Sequence, residues 1–585
     1  MQILTRFFDS WRLRDIFTRR HGNTIDHSNN NNDDDDDEFT HLLSKKKNCN
    51  NKLIRSPDID DDDSVVVTSY KNHPSWHDSG FHIDTLANKQ SPWFQDIKQE
   101  TIFILNYTWP LLITFVVGKG MGLVDVWFLG RLGSEVMAVV SLGNLWSTVA
   151  GLAFGNGLLT AIDTLVAQAF TGANDPKTLG IILQRGILIM GLLALPIWVL
   201  WMYTEPILIN VMGQEQHLAH LTQSYIYICI PLVYPIFIST AIRKFLQSLG
   251  HMRVTMLMIL AIFPFNCLSN LLFLRVLDLG YIGAAFHFAF FHGAILAIYT
   301  LFLSFGTDFW NAYWPGWQKQ AFRNWEPFLK LGIPGMLSVA TEWAFEICAL
   351  LTGVLGKTTL AGQSIILSVN SLLIMIPSAL SNAVAVRIGH HAGANRPLKI
   401  QMCFSISVAM GCIAILFNGS LMYFLRHQIA AYFSIDEEVV QAAEDLMPVA
   451  ALSHVFTGLS AVFSATLNAL GKQPIVAAFN LSSYYMVGLP FGLWMTYSFD
   501  WGLIGVWSGI AMAGFIKCVG EGAILLFVID WESECRKSSQ RVGTQEISPT
   551  LLPNITTATI VTDNHYNNDD SIKKTHNKNT LPPVA

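Results

Sequence analysis

Charge is scarce in this chain. Asp, Glu, Lys and Arg make up 14% of the 585 residues, and 51% are hydrophobic. A soluble domain carries about 25% charged residues. Together with a mean hydropathy of +0.37, the shortage excludes an ordinary soluble enzyme and predicts a polytopic membrane protein. Cys-x-x-Cys pairs are missing. The eight cysteines (Cys49, Cys229, Cys267, Cys348, Cys403, Cys412, Cys518, Cys535) are scattered, which excludes a zinc site or a disulfide framework. A complete phosphate-binding loop is also missing. Gly356-Lys357-Thr358 resembles the end of one, but its first glycine would fall at Leu351. No nucleotide, nucleic acid, metal or cofactor is expected, and any transport should run on an ion gradient. The start lacks the long apolar core of a secretory signal.

The acid that does occur is concentrated near the start. Asn29–Asn32, Asp33–Asp37 and Asp60–Asp63 are low-complexity sequence that cannot bury a core. Residues 1–100 therefore read as a cytosolic, mostly disordered acidic tail. Its first twenty residues interleave arginines with Phe7, Phe8, Trp11, Leu13, Ile16 and Phe17, the pattern of an amphipathic helix on a membrane surface. A mitochondrial presequence is the weaker reading, because Asp9 and Asp15 are unwelcome there. Residues 530–585 read as a second disordered cytosolic tail.

Between the tails, apolar runs follow closely. Spans are expected at 102–129, 137–162, 180–203, 221–246, 254–276, 282–305, 328–355, 359–380, 401–425, 440–466, 474–498 and 502–529. Twelve spans put both termini on one side. Lys and Arg choose that side. Lys177, Arg185, Arg243, Lys244, Arg253, Lys319, Arg323, Arg387, Arg396, Lys399 and Lys472 flank the even-numbered connections, against Arg131, Arg275, Lys357 and Arg426 at the odd-numbered ones. That excess places both termini in the cytosol.

The two halves repeat. Gly172-Ala173-Asn174-Asp175-Pro176 recurs as Gly393-Ala394-Asn395-Arg396-Pro397, and Leu249-Gly250 as Leu470-Gly471, each 221 residues later. Asp278-Leu279-Gly280-Tyr281-Ile282-Gly283 recurs as Asp500-Trp501-Gly502-Leu503-Ile504-Gly505, 222 later, and Gly130-Arg131-Leu132-Gly133 as Gly353-Val354-Leu355-Gly356, 223 later. Four matches in nearly one register predict a first lobe at 101–305, a polar cytosolic linker at 306–327 and a second lobe at 328–529. Parallel six-helix repeats of this kind belong to secondary transporters, with the substrate site between halves.

Few ionisable groups lie inside the spans, and an acid there is costly enough to be a functional candidate. Glu342 and Glu346 in span 7 are about 40° apart on the helix wheel and share a face. Two like charges that close cannot both ionise cheaply, so the pair can hold and release a proton. Trp343 beside them can stack on an organic cation. The plainer alternative keeps both acids neutral and hydrogen-bonded to neighbouring helices. Asp125 in span 1 is a second candidate. Asp163 closes span 2 and is also read as a cap for the next turn. Asn266 and Asn270 share a face of span 5, suited to bonds across helices or to lining a cavity. His287 and His292 in span 6 read as packing residues. Lys517 and Glu521 in span 12 read as a mutually neutralising pair.

Several stretches taken together are familiar. Ala161-Ile162-Asp163-Thr164-Leu165-Val166-Ala167-Gln168-Ala169-Phe170, Gly180-Ile181-Ile182-Leu183-Gln184-Arg185, the Glu342–Glu346 stretch, Leu467-Asn468-Ala469-Leu470-Gly471-Lys472-Gln473 and Ser483-Tyr484-Tyr485-Met486-Val487-Gly488-Leu489-Pro490 resemble the eukaryotic branch of the multidrug and toxic compound extrusion (MATE) family over residues 100–529. The resemblance implies an all-α, twelve-helix, two-lobed and V-shaped antiporter exchanging organic cations or other xenobiotics for H⁺ or Na⁺. Glu346 matches the family's span 7 acid. Glu342 matches only across a one-residue gap, and without the gap Thr341 takes its place. Asp125 resembles the span 1 aspartate of bacterial members, and Asn266 their span 5 asparagine. Asn270 stands where those members often carry a second aspartate, and Thr457 where eukaryotic members tend to carry an acid.

The reading is therefore efflux by alternating access. Glu342 and Glu346 would bind proton and substrate in turn, Asp125 would be a second ion site, and Trp343, Tyr484 and Tyr485 cavity aromatics. Small organic cations and membrane lipids are the expected partners, a single chain the functional unit, and the plasma membrane or a vacuolar or endosomal membrane the location. A flippase for lipid-linked head groups is the nearest rival, but it calls for a strongly cationic cavity. A receptor or scaffold that recruits partners through the acidic tail is opposed by the duplicated halves.

Overall fold

The computed structural model describes residues 92–305, 312–342 and 357–543. Trp343 and Glu346 lie outside the described residues, and Glu342 is the last described residue of its helix. The first half consists of α1 (Pro92–Leu129), α2 (Ser134–Gly172), α3 (Lys177–Met202), α4 (Gln216–Ser248), α5 (Met252–Val276) and α6 (Gly280–Phe305). The second consists of α7 (Glu326–Glu342), α8 (Ala361–Gly393), α9 (Pro397–Phe424), α10 (Glu437–Ala469), α11 (473–498) and α12 (Gly502–Val528). A further helix, α13 (Trp531–Gly543), follows. Among the described residues there is no strand.

All of these helices except α7, α11 and α13 are long and apolar enough to cross a membrane. In hydrocarbon every backbone N–H and C=O needs an internal partner, and a helix supplies them along its own length. Large apolar side chains such as Ile413, Leu416 and Phe417 on α9 point outward, Ile413 with 71% exposure, as a lipid-facing surface requires. The helices are not uniform. Wider π-turns interrupt α2 at Thr148–Leu152, end α5 at Leu271–Val276 and split α11 at Ser482–Gly488.

The repeat is visible in the backbone. Asp278 and Asp500 adopt positive φ (46° and 53°), as do Gly280 and Gly502 (56° and 51°) and Gly250 and Gly471 (87° and 79°). These are costly angles for residues with a Cβ, yet they recur at equivalent places in both halves. The Gly353–Gly356 match lies outside the described residues.

The halves meet tightly at the end carrying the α2–α3, α4–α5, α8–α9 and α10–α11 connections. Glycines make the approach possible. A methyl group on Gly393 would lie 2.0 Å from the Gln168 carbonyl oxygen, and one on Gly172 would lie 2.8 Å from that of Gly393. Polar contacts then join the two halves. Glu100 of α1 accepts from Arg387 Nη2 at 2.8 Å and lies 2.8 Å from His391 Nε2. Thr164 Oγ1 donates to the Asn468 carbonyl at 2.8 Å, Gln168 Nε2 to that of Ala469 at 2.7 Å, and Thr171 Oγ1 to that of His390 at 2.6 Å.

Three boundaries differ from the sequence expectation. α1 begins at Pro92, inside the stretch assigned to the acidic tail. α2 runs on to Gly172, so Asp163 sits within a helix and pairs with Lys244 of α4 instead of capping a turn. Residues 531–543, expected to be disordered, form α13. Cys535, Ser538 and Val542 are buried at helical spacing along one face; a polar composition hid that stripe.

Gly393→Ala should lower stability by about 1–3 kcal/mol, because the obstructing atom is backbone and cannot swing away. Gly120→Ala, with open space around it, should stay within about 0.5 kcal/mol of the parent or exceed it. Thermal unfolding of both variants in nanodiscs checks the contrast; equal behaviour would mean the close approach is not rigid.

Candidate functional site

The best-defined polar cluster in the first half gathers around Asp125. α1 carries it one turn before the chain leaves the helix at Leu129. Asn266 and Asn270, at i and i+4 on α5, both face it. Asn266 Nδ2 donates to Asp125 Oδ1 at 2.9 Å and Asn270 Nδ2 to the same atom at 2.7 Å. A carboxylate only accepts, so each amide turns its nitrogen toward it. The buried Oδ1 atoms of both asparagines then make no hydrogen bond among the described residues.

α6 supplies the third partner. His287 Nε2 lies 3.3 Å from Asp125 Oδ1, and its Nδ1 lies 2.8 Å from Ser269 Oγ. The His287 side chain is 8% exposed and that of Asp125 34%, so the carboxylate is the more accessible of the two. The partners constrain the imidazole's protons. As an imidazolium it donates to both Asp125 and Ser269. With Nδ1 deprotonated it still donates to Asp125, and the Ser269 hydroxyl, which otherwise bonds the Phe265 carbonyl at 2.7 Å, can donate to Nδ1. Either form of the imidazole thus keeps its contacts with Asp125 and Ser269, the hydroxyl exchanging the Phe265 carbonyl for Nδ1 in the second. The π-turn at Leu271–Val276 begins directly after Asn270, a distortion often found beside functional residues.

Asp125, Asn270 and His287 border a cavity of about 180 Å³, also lined by Asn144, Thr148, Tyr225, Phe288, Phe291 and His292. Tyr225 donates its hydroxyl to Asn144 Oδ1 at 2.8 Å. The cavity thus combines one acid with aromatic walls, the surroundings in which an organic cation is attracted both by charge and by ring faces.

The structure brings Asp125, Asn266 and Asn270 together and places the other described candidates, Asp163, Tyr484 and Tyr485, elsewhere. Asp163 is paired with Lys244. Tyr484 is buried beside Ala513 of α12, with Tyr485 packed against that pair; neither lines the cavity. In the second half His454 bridges two asparagines, with Nδ1 2.9 Å from Asn370 Oδ1 and Nε2 3.2 Å from Asn418 Nδ2. Thr457 bonds back to the Ser453 carbonyl. Glu521, expected to pair with Lys517, receives the Ser464 hydroxyl, whose Oγ lies 2.9 and 2.8 Å from its two oxygens.

His287 was legible as something other than packing. Asn270 and His287 lie eight and nine residues either side of Asp278. A tight turn there makes them neighbours across the α5–α6 hairpin.

Comparison with known proteins agrees with this architecture. The family model described as MatE matches residues 110–272 and again 334–494, one copy per half. Multidrug and toxin extrusion protein 2 of Oryctolagus cuniculus is 33% identical over 447 residues, covering 76% of this chain and 71% of that protein. Multidrug and toxin extrusion protein 1 of Homo sapiens is 30% identical over 419 residues, covering 70% and 72%. The crystal structure of the eukaryotic MATE transporter AtDTX14 superposes with a TM-score of 0.70 at 23% identity, covering 76% of this chain and all of that one. With two family-model matches, one in each repeated half, and relatives at 30–33% identity over 70% or more of both chains, the chain belongs to the MatE family of membrane transporters and is not an enzyme.

Proposed function

We propose that this protein exports organic cations or related xenobiotics in exchange for protons, by alternating access between the two halves. The observation that carries the reading is the Asp125 cluster: an acid on a membrane-spanning helix, held by Asn266, Asn270 and His287 at the edge of an aromatic cavity. The deprotonated cluster offers a negative charge to a cation, and the protonated one withdraws it. A substrate and a proton that compete for one charge are thermodynamically coupled. The acid also opposes an anionic lipid head group, which leaves the flippase reading without support at this cavity.

The second half contributes Glu346 and Glu342 as further proton or substrate sites, a reading that rests on the sequence and its resemblance to the family. The end at which the halves meet carries the Lys- and Arg-rich connections, so we assign it to the cytosol together with both termini. On that assignment, the contacts there support the reading of a state closed toward the cytosol. A single chain supplies both halves and so suffices for the cycle, in the plasma membrane or in a vacuolar or endosomal membrane.

Asp125→Asn keeps an acceptor for both asparagine amides but cannot ionise. It should fold normally and lose at least about tenfold of proton-driven exchange, some 1.4 kcal/mol or more in the coupled step. Uptake of labelled tetraethylammonium into proteoliposomes under an imposed pH gradient measures this. Uptake that follows an imposed Na⁺ gradient instead would replace the proton with Na⁺ as the coupling ion.

Glu346→Gln should likewise insert and fold while losing exchange. Glu342→Gln should do so only if Glu342 shares the cavity with Glu346. Full exchange with unchanged pH dependence in Glu346→Gln would leave Asp125 as the sole coupling acid.

A further inference from the structure

α13 touches both halves at their closed end. Its first turn belongs to the second half. The Trp531 ring lies 5.7 Å from that of Phe404 on α9. The Glu534 carboxylate pairs with Lys472 of the α10–α11 turn at 2.9 Å and with Lys537 at 2.8 Å. Burial works to raise the pKa of Glu534, but the hydrogen bonds and charges of Lys537 and Lys472 outweigh it and hold the group below its ordinary value. The Glu534 carboxylate is therefore ionised at neutral pH.

Its last turn reaches the first half. Arg541 Nη1 donates to Gln168 Oε1 at 2.9 Å. Val542, 3% exposed, completes the hydrophobic cluster of that half. Gln168 is the residue whose amide nitrogen also reaches across to the Ala469 carbonyl, so α13 holds one of the groups that close this end. Arg541 lies directly over Gly471, where a methyl group would be 2.3 Å from Nη1. The positive φ of Gly471 and its missing side chain make room for the guanidinium.

The two attachments are unequal. Only Ile529 and Asp530 separate α13 from α12, so its first turn cannot leave the second half. Separation of the halves at this end must therefore break the Arg541–Gln168 bond and lift Val542 out of the first-half cluster. We propose that α13 is a strap across the closed end, anchored at Trp531 and Glu534 and released at Arg541 and Val542, and that it sets how often this end opens. The proposal rests on the alternating-access reading above, and its test does not require a substrate.

Spin labels placed at Lys177→Cys and Arg396→Cys, one exposed position on each half at this end, report their separation by pulsed electron resonance in nanodiscs. The full-length protein should show mainly a short distance. Arg541→Ala combined with Val542→Ser should raise the fraction at longer distance at least threefold. Arg536→Ala, which removes an exposed arginine from the same helix, should leave it unchanged. Truncation after Asp530 should match or exceed the double variant; if the truncated chain does not fold, the double variant decides alone. Distance distributions that coincide between parent and double variant overturn the strap. A longer-distance population in the double variant, with no tetraethylammonium exchange by the parent, would uphold the strap and count against the proposed function.

Discussion

A polar group inside hydrocarbon has no water to fall back on, so leaving it without a partner in the protein is costly. This constraint decides which side chains gather in the described structure. Asp125 draws in two asparagines and a histidine from α5 and α6. His454 stands between Asn370 and Asn418. Glu521, fully buried, takes the Ser464 hydroxyl. Each group holds helices in register as a by-product of satisfying its own atoms. The Asp125 group differs in one respect: it borders a cavity.

The cavity and the closed end are joined mechanically by α1. Asp125 and Glu100 lie 25 residues apart on this helix, about 37 Å at 1.5 Å per residue. At one end α1 meets α5 and α6 of its own half, and at the other it pairs with Arg387 and His391 of the opposite half. Pro110 lies between them, where a missing N–H lets a helix bend. The helix that carries Asp125 is thus the one whose far end forms part of the contact between halves. The short π-turns next to Asn270 and around Tyr484 add further places at which helices can change pitch.

Much of the architecture was legible because hydrocarbon imposes a length and a composition on each span, and because a duplicated sequence repeats its turns. The Asp278 and Asp500 turns, and the glycines at 250 and 471, follow directly from the repeat. Two kinds of feature were not legible. One is amphipathic structure outside the membrane: α13 shows only a narrow buried stripe of Cys535, Ser538 and Val542 among charged residues, and composition averages it away. The other is pairing between helices. Asn266 and Asn270 were visible as one face of α5, but their joint acceptor on α1 depends on how the helices pack. His287 was read as packing because a single histidine carries no periodic signal, although its spacing from Asn270 across the Asp278 turn marked it as a neighbour of the cluster. Asp163 looked like a helix end only because the apolar run stops there; the helix itself continues, held by Lys244.

The meeting of Gly172 with Gly393 has a historical consequence. Residues at equivalent positions of two repeats touch each other only close to the axis that relates the halves. If the halves descend from one six-helix unit that worked as a homodimer, the same residue would have met its own copy there. A side chain at that position would have been penalised twice in the dimer, once from each subunit. Fusion into one chain freed the two copies to diverge, yet the obstructing atoms on both sides are main-chain atoms, which no substitution elsewhere removes. Symmetry is thus still imposed at this point by steric exclusion, while at the Asp125 cluster, away from the axis, one half has been free to acquire chemistry of its own.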